Sequence, residues 1–122
     1  MRTPLLEPVP PVAGPFGSPA AAQVPADLLH RLVRSLTPEL ILLFGSRARG
    51  TSRPASDIDL LLIGPWTMEP AQLLRHARHL ITRSFPRVDL VLCAPDQIAA
   101  AEAGRAPFLR TILDSGVVIY RR

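Results

Sequence analysis

The chain has 122 residues, 48% of them hydrophobic, which is enough for one domain with a core of its own and no covalent staples. Its single cysteine, Cys93, excludes an intrachain disulfide; no apolar run reaches the length of a membrane span, and no charged-then-apolar N-terminus marks a secretory leader, so a cytoplasmic protein is expected. The formal charge of +4 arises from 14 basic residues, all arginine, against 10 acidic ones; this balance suits a nucleotide or another acidic partner and does not argue for nucleic-acid binding.

Residues 1–25 stand apart. Pro4, Pro8, Pro10, Pro11, Pro15, Pro19 and Pro25 fall there, and only Arg2 and Glu7 are charged. Proline removes an amide donor and fixes φ, so the stretch reads as an extended, mobile tail, with a proline-rich docking arm as the functional alternative. The folded domain is expected over residues 26–122.

Leu28, Leu29, Leu32, Val33 and Leu36 form a helical stripe that begins near Pro25 or Asp27, and Thr37-Pro38 ends it. Glu39 to Phe44 is a short apolar run read as a buried strand. Gly45-Ser46 turns the chain into a short helix, and residues 50–56 form a loop. Asp57 to Ile63 is a second strand. Glu69 to Phe85 predicts an amphipathic helix with Leu73, Leu74, Ala77, Leu80 and Ile81 inward and Arg75, Arg78 and Arg83 outward. Arg87 to Cys93 is a third strand. Two short helices follow, separated at residues 104–107, and Gly116 reads as a helix C-cap before a last strand over Val117 to Tyr120. The order specifies an α/β or α+β domain and fits two layers or three equally well.

Chemistry concentrates in Asp57-Ile58-Asp59. Residues two apart on a strand share a face, with α-carbons roughly 6.6 Å apart, so both carboxylates can face one hard cation while Ile58 enters the core. Asp89 stands in an otherwise apolar strand, where an unpaired carboxylate is costly and calls for a metal or an arginine partner. Taken alone, the Asp-x-Asp pair is also satisfied by a strand that starts in solvent. Upstream, Phe44 to Gly50 follows a buried strand and opens a helix. Glycine there allows close backbone approach, and the Ser46 hydroxyl can bond a phosphate oxygen. Arg47, Arg49 and Arg53 either add charge to that site or are solvated side chains of an ordinary turn.

Together these residues resemble the minimal nucleotidyltransferase family of the DNA polymerase β-like superfamily. The family pattern has a Gly-Ser pair, ten intervening residues and Asp-x-Asp on the next strand. Gly45-Ser46, Arg47 to Ser56 and Asp57-Ile58-Asp59 match it, and Asp89 matches the family's third carboxylate on a later strand. The likeness runs from Leu28 to Tyr120 and leaves out the proline-rich segment. It implies the polymerase β-like nucleotidyltransferase fold, a mixed sheet flanked by helices. It further implies that Asp57, Asp59 and Asp89 are catalytic and hold two Mg²⁺ ions, that Gly45, Ser46, Arg47 and Arg49 bind the nucleotide, and that AMP passes from ATP to an acceptor hydroxyl. Members of this size resemble antitoxins that adenylylate a tyrosine on a partner HEPN-domain ribonuclease toxin. A non-catalytic module that neutralises its partner by stoichiometric contact is the alternative. Transfer to small molecules or RNA ends is disfavoured because no acceptor domain follows the core.

Several other residues invite a role. His76 and His79 are helical neighbours beside Arg75 and Arg78 and read as a solvated face, as does His30. Cys93 reads as a buried, inert thiol and Trp66 as a half-buried loop anchor. Tyr120 either lines the nucleotide pocket or closes the core.

Overall fold

A computed structural model describes residues 23–122. Its elements are α1 (Ala26–Leu36), β1 (Leu40–Phe44), α2 (Gly45–Arg49), β2 (Ile58–Ile63), α3 (Pro70–Ile81), β3 (Val88–Cys93), α4 (Pro95–Glu102), α5 (Pro107–Ser115) and β4 (Val117–Arg121). The strands form one sheet in the order β3-β2-β1-β4. β1 runs antiparallel to both of its neighbours, and β2 and β3 are parallel, joined by the crossover through α3.

The sheet alternation divides the core. Ile41 and Leu43 of β1, with Ile58, Leu60 and Leu62 of β2, face Leu28, Leu29, Leu32, Val33 and Leu36 of α1 and Leu73 and Ala77 of α3. Leu42, Leu61, Ile63 and Cys93 point the other way, onto Ala101 of α4 and Leu109 and Ile112 of α5. Helices thus cover both faces of a mixed sheet, which is the three-layer arrangement of the two that the element order allowed.

Local chemistry sets the boundaries. α1 ends where Thr37 adopts a left-handed conformation (φ 45°, ψ 54°) ahead of Pro38, with its amide donating to Val33 O. The Glu69 carboxylate caps α3, accepting from the Ala71 and Gln72 amides at 3.1 and 3.2 Å, and Pro70 occupies the first helical position. α3 stops at Ile81, short of the expected Phe85: Thr82 Oγ1 donates back to Arg78 O at 2.8 Å, and the chain turns toward Pro86. Leu74, expected inward, is 40% exposed, and it is not among the residues that pack against either core cluster of the described residues. Arg31 Nη1 donates to Leu80 O at 2.7 Å, tying α1 to the last turn of α3.

Two smaller expectations also change. Gly116 does cap α5, but in an extended conformation (φ −75°, ψ 154°), and its lack of a side chain serves close packing: a Cβ would lie 2.8 Å from Ile112 O. His30 is half-buried rather than on the surface, and its Nε2 is buried with no hydrogen-bond partner among the described residues. Val24 already belongs to the core beside α1, while residues 1–22 of the expected tail lie outside the described residues. No helix among the described residues is long and apolar enough to cross a membrane.

Candidate active site

The site lies where the chain leaves β1 and enters β2, at one end of the sheet and on the face covered by α4 and α5. Phe44 pairs with Asp59 across the antiparallel ladder, and Asp59 pairs with Asp89 across the parallel one. Adjacent strands are about 4.8 Å apart, so this register sets two carboxylates side by side on one face. Asp57 precedes β2 rather than lying within it and is exposed, while Asp59 and Asp89 are half-buried.

Gly45 is the residue that lets the turn close over the carboxylates. Its φ of +74° is one that L side chains rarely adopt, and a Cβ there would collide with Asp59 Oδ2 and stand 3.1 Å from Asp59 Cγ. The turn returns at Gly50 (φ +76°), whose amide donates to Ser46 O, and the Thr51 amide donates to the same oxygen at 3.0 Å. The Ser46 carbonyl is therefore committed, while its hydroxyl has no partner among the described residues.

Burial pushes the Asp59 carboxyl above its ordinary value of 3.8; the negative charges of Asp89 and then Asp57 push it further, as does a hydrogen bond to Asp89, and Arg49 pulls it back. Asp59 is thus the centre of the cluster, coupled to both other carboxylates and to Arg49. Arg87 Nη2 also bonds Asp89 Oδ1 at 3.0 Å, an exposed ion pair. As the side chains stand, no group of three or more His, Cys, Asp or Glu among the described residues is close enough to hold one metal ion. The donor set nevertheless fits a hard divalent cation. It consists of carboxylate oxygens, two of them held side by side, whose mutual repulsion a cation relieves.

The arginines of the turn separate. Arg49 is exposed and within electrostatic reach of Asp59. Arg53 is exposed, and its amide donates to Ser56 Oγ at 2.8 Å. Arg47, expected at the nucleotide, instead turns inward and is 9% exposed. Its Nε and Nη2 donate to Ser56 O at 3.1 and 2.7 Å, Nη2 also to Pro54 O at 2.9 Å, and Nη1 to Gln23 O at 3.3 Å. Four of its five N–H donors are thus committed to backbone carbonyls.

The remaining residues fall into structural parts. Tyr120 is 2% exposed in the core, so it closes the core rather than lining a pocket. Trp66 is half-buried; its ring lies against Gly64 and its Nε1 donates to Cys93 O at 2.8 Å. Cys93 is buried, and that burial pushes its thiol up to about 11. His79 is exposed and His76 half-buried, neither in a metal-holding group among the described residues. The arginine partner that the sequence offered for Asp89 without naming it is Arg87, which immediately precedes β3 and stands two residues before Asp89. Sequence reasoning missed Ser56 and Gln23, whose parts are played by backbone oxygens and leave no trace in residue type.

The chain thus combines a four-stranded mixed sheet, helices on both faces and a glycine turn pressed on paired carboxylates. Over residues 27–118 the sequence matches the family described as nucleotidyltransferase domain, and the chain belongs to that family. Among solved structures it is similar to a chain of a toxin–antitoxin crystallised with AMP-PNP, at 22% identity over 79% of this chain and 73% of that one, with a TM-score of 0.49. It is also similar to a Sulfolobus solfataricus protein assigned as a nucleotidyltransferase, at 23% identity over 84% and 78% of the two chains, with a TM-score of 0.48. No curated protein matches the sequence.

Proposed function

We propose that this chain transfers AMP from ATP to a hydroxyl of a partner protein, a tyrosine of a HEPN-domain ribonuclease toxin, and so acts as its antitoxin in the cytoplasm. The observation that carries the reading is the pairing of Asp59 with Asp89 in register beneath Gly45, which joins the three parts of the sequence motif at one sheet end. Asp57, Asp59 and Asp89 would hold Mg²⁺, two ions in the full site, which when bound lowers the pKa of the acceptor hydroxyl and neutralises the leaving phosphates. Gly45 leaves room for the nucleotide to approach, the Ser46 hydroxyl donates to a phosphate oxygen, and Arg49 offsets phosphate charge. Asp89 orients the acceptor hydroxyl and accepts its proton. The protein's contribution is positioning and fixed charge.

The test is to incubate the chain with Mg²⁺, labelled ATP and a HEPN partner. Label should appear on the partner with wild type and not with Asp59→Asn; label that persists with the variant sinks the reading. A second reading draws on the Arg87–Asp89 ion pair, which already occupies one carboxylate oxygen of the cluster. In that case the chain silences its partner by stoichiometric contact, and the Asp57→Ala/Asp59→Ala double variant neutralises as well as wild type.

A further inference from the structure

Arg47 is the one buried charged side chain among the described residues, and it makes no ion pair among them. Withdrawing a guanidinium from water is costly unless its donors are satisfied, and here backbone carbonyls alone take four of the five N–H donors. Two separate stretches of chain supply these oxygens: Gln23 before α1, and Pro54 and Ser56 at the end of the loop that leads into β2. Ser56 O receives two of the four bonds, including the shortest, at 2.7 Å.

That oxygen belongs to the peptide joining Ser56 to Asp57. A peptide is planar, so fixing its oxygen fixes the direction of the Asp57 nitrogen and α-carbon. On the other side of Asp57, the Ile58 amide donates to Arg87 O at 2.8 Å and begins the ladder with β3. Asp57 is itself exposed, yet both of its flanking peptides are pinned, one by Arg47 and the other by the sheet.

We infer that Arg47 is a positioning residue: it sets the Ser56–Asp57 peptide so that the Asp57 carboxylate meets the Asp59–Asp89 pair, and it does not contact the nucleotide. The inference rests on Asp57 being a carboxylate of the proposed site. It divides the work of the Gly45–Gly50 turn between two arginines, Arg49 facing the ligand and Arg47 holding the wall behind it. The tie to Gln23 O brings the chain entering α1 onto the same guanidinium.

The experiment compares Arg47→Lys, Arg49→Gln and Ser56→Gly with wild type. Ser56→Gly keeps Arg47 and its carbonyl partners but loosens the same peptide from the loop side, so it decides the matter should Arg47→Lys fail to fold. AMP transfer and direct Mn²⁺ binding to the nucleotide-free protein, followed by paramagnetic relaxation, are both measured. Misplacing a catalytic carboxylate by about 1 Å lowers turnover on the order of a hundredfold. Arg47→Lys and Ser56→Gly should therefore lower kcat by about tenfold to a hundredfold, weaken Mn²⁺ binding, and leave the ATP KM within about twofold of wild type. Arg49→Gln should raise the ATP KM and leave Mn²⁺ binding in the free protein intact. A raised ATP KM with unchanged kcat in Arg47→Lys, or Mn²⁺ binding as tight as wild type in both Arg47→Lys and Ser56→Gly, overturns the inference. A wild-type protein that binds Mn²⁺ yet transfers nothing would sink the transferase reading and leave this inference to be decided by the Mn²⁺ arm.

Discussion

The parallel ladder of β2 and β3 ends in two opposite ways. At one end Asp59 faces Asp89, half-buried, with Asp57 close enough to add its charge. At the other end Ile63 faces Cys93, both buried, and Trp66 closes the pair by donating to Cys93 O, which also accepts from the Gly64 amide at 3.1 Å. Strand pairing is the same at both ends, but the side chains it places together differ. The closed end contributes apolar burial and satisfied carbonyls. The open end holds like charges together, an arrangement that opposes folding.

The sharpest way to break this comparison is to remove the central carboxylate. Asp59→Asn keeps the shape of the side chain and should lower AMP transfer by about a thousandfold or more, in line with the loss of a group that organises transition-state charge. Labelled-ATP assays check this, and retention of a tenth of wild-type activity would place the chemistry elsewhere. Its counterpart at the closed end is Trp66→Ala, which strips the ring from Gly64 and leaves Cys93 O without one of its donors. Urea unfolding should show a loss of about 3 kcal/mol. A loss under 1 kcal/mol would mean the closed end is not held by the indole.

A smaller effect concerns Cys93. Burial moves its thiol from 9.0 to about 11, so the thiolate fraction at pH 8 falls about a hundredfold. Alkylation of the native protein should be slower by at least that factor than alkylation of the urea-unfolded chain. Equal rates would show that this end of the ladder opens readily.

Much of the open end was legible in the sequence because its parts are local. A glycine between a buried strand and a helix, and aspartates two apart at a strand start, state their geometry through period and φ. The strands were legible as short apolar runs over residues 40–44 and 58–63, but which of those side chains face α1 and α3 and which face α4 and α5 is settled only in the folded sheet. Where the reading failed, the deciding partner was distant or was backbone. Arg47 and Arg49 look equivalent on a five-residue helix, and only the folded course of residues 50–56 and the arrival of Gln23 decide that the first turns inward. Leu74 belongs to the apolar stripe of α3 by spacing but is exposed among the described residues, outside both core clusters. The length of α3 was overcalled because the helical pattern continues through Arg83 and Ser84, while the hydroxyl of Thr82 and the approach to Pro86 stop it earlier.

The gentlest test separates the two ends by pH. The Asp59 carboxyl is raised in the folded chain from 3.8, by burial first and by Asp89 and Asp57 next. Between 3.8 and that raised value the folded state holds more protons than the unfolded state, so stability falls as pH rises through this window. The stability associated with protonated Asp59 is fully present below 3.8 and is lost as pH passes the folded value. Asn at this position does not titrate. In chelator, Asp59→Asn should therefore gain on wild type as pH rises from 3.8, and the gap should level off once Asp59 is ionised in both states. Adding Mg²⁺ with ATP should narrow or reverse the gap, since a ligand bound only by the folded wild type stabilises it by mass action. Trp66→Ala, at the other end of the same ladder, should show a loss that does not change with pH across this range. Urea midpoints at four or five pH values resolve all three curves. If wild type and Asp59→Asn stayed parallel throughout, the carboxylates would be solvated independently and the open end of the ladder would carry no stored repulsion for a cation to relieve.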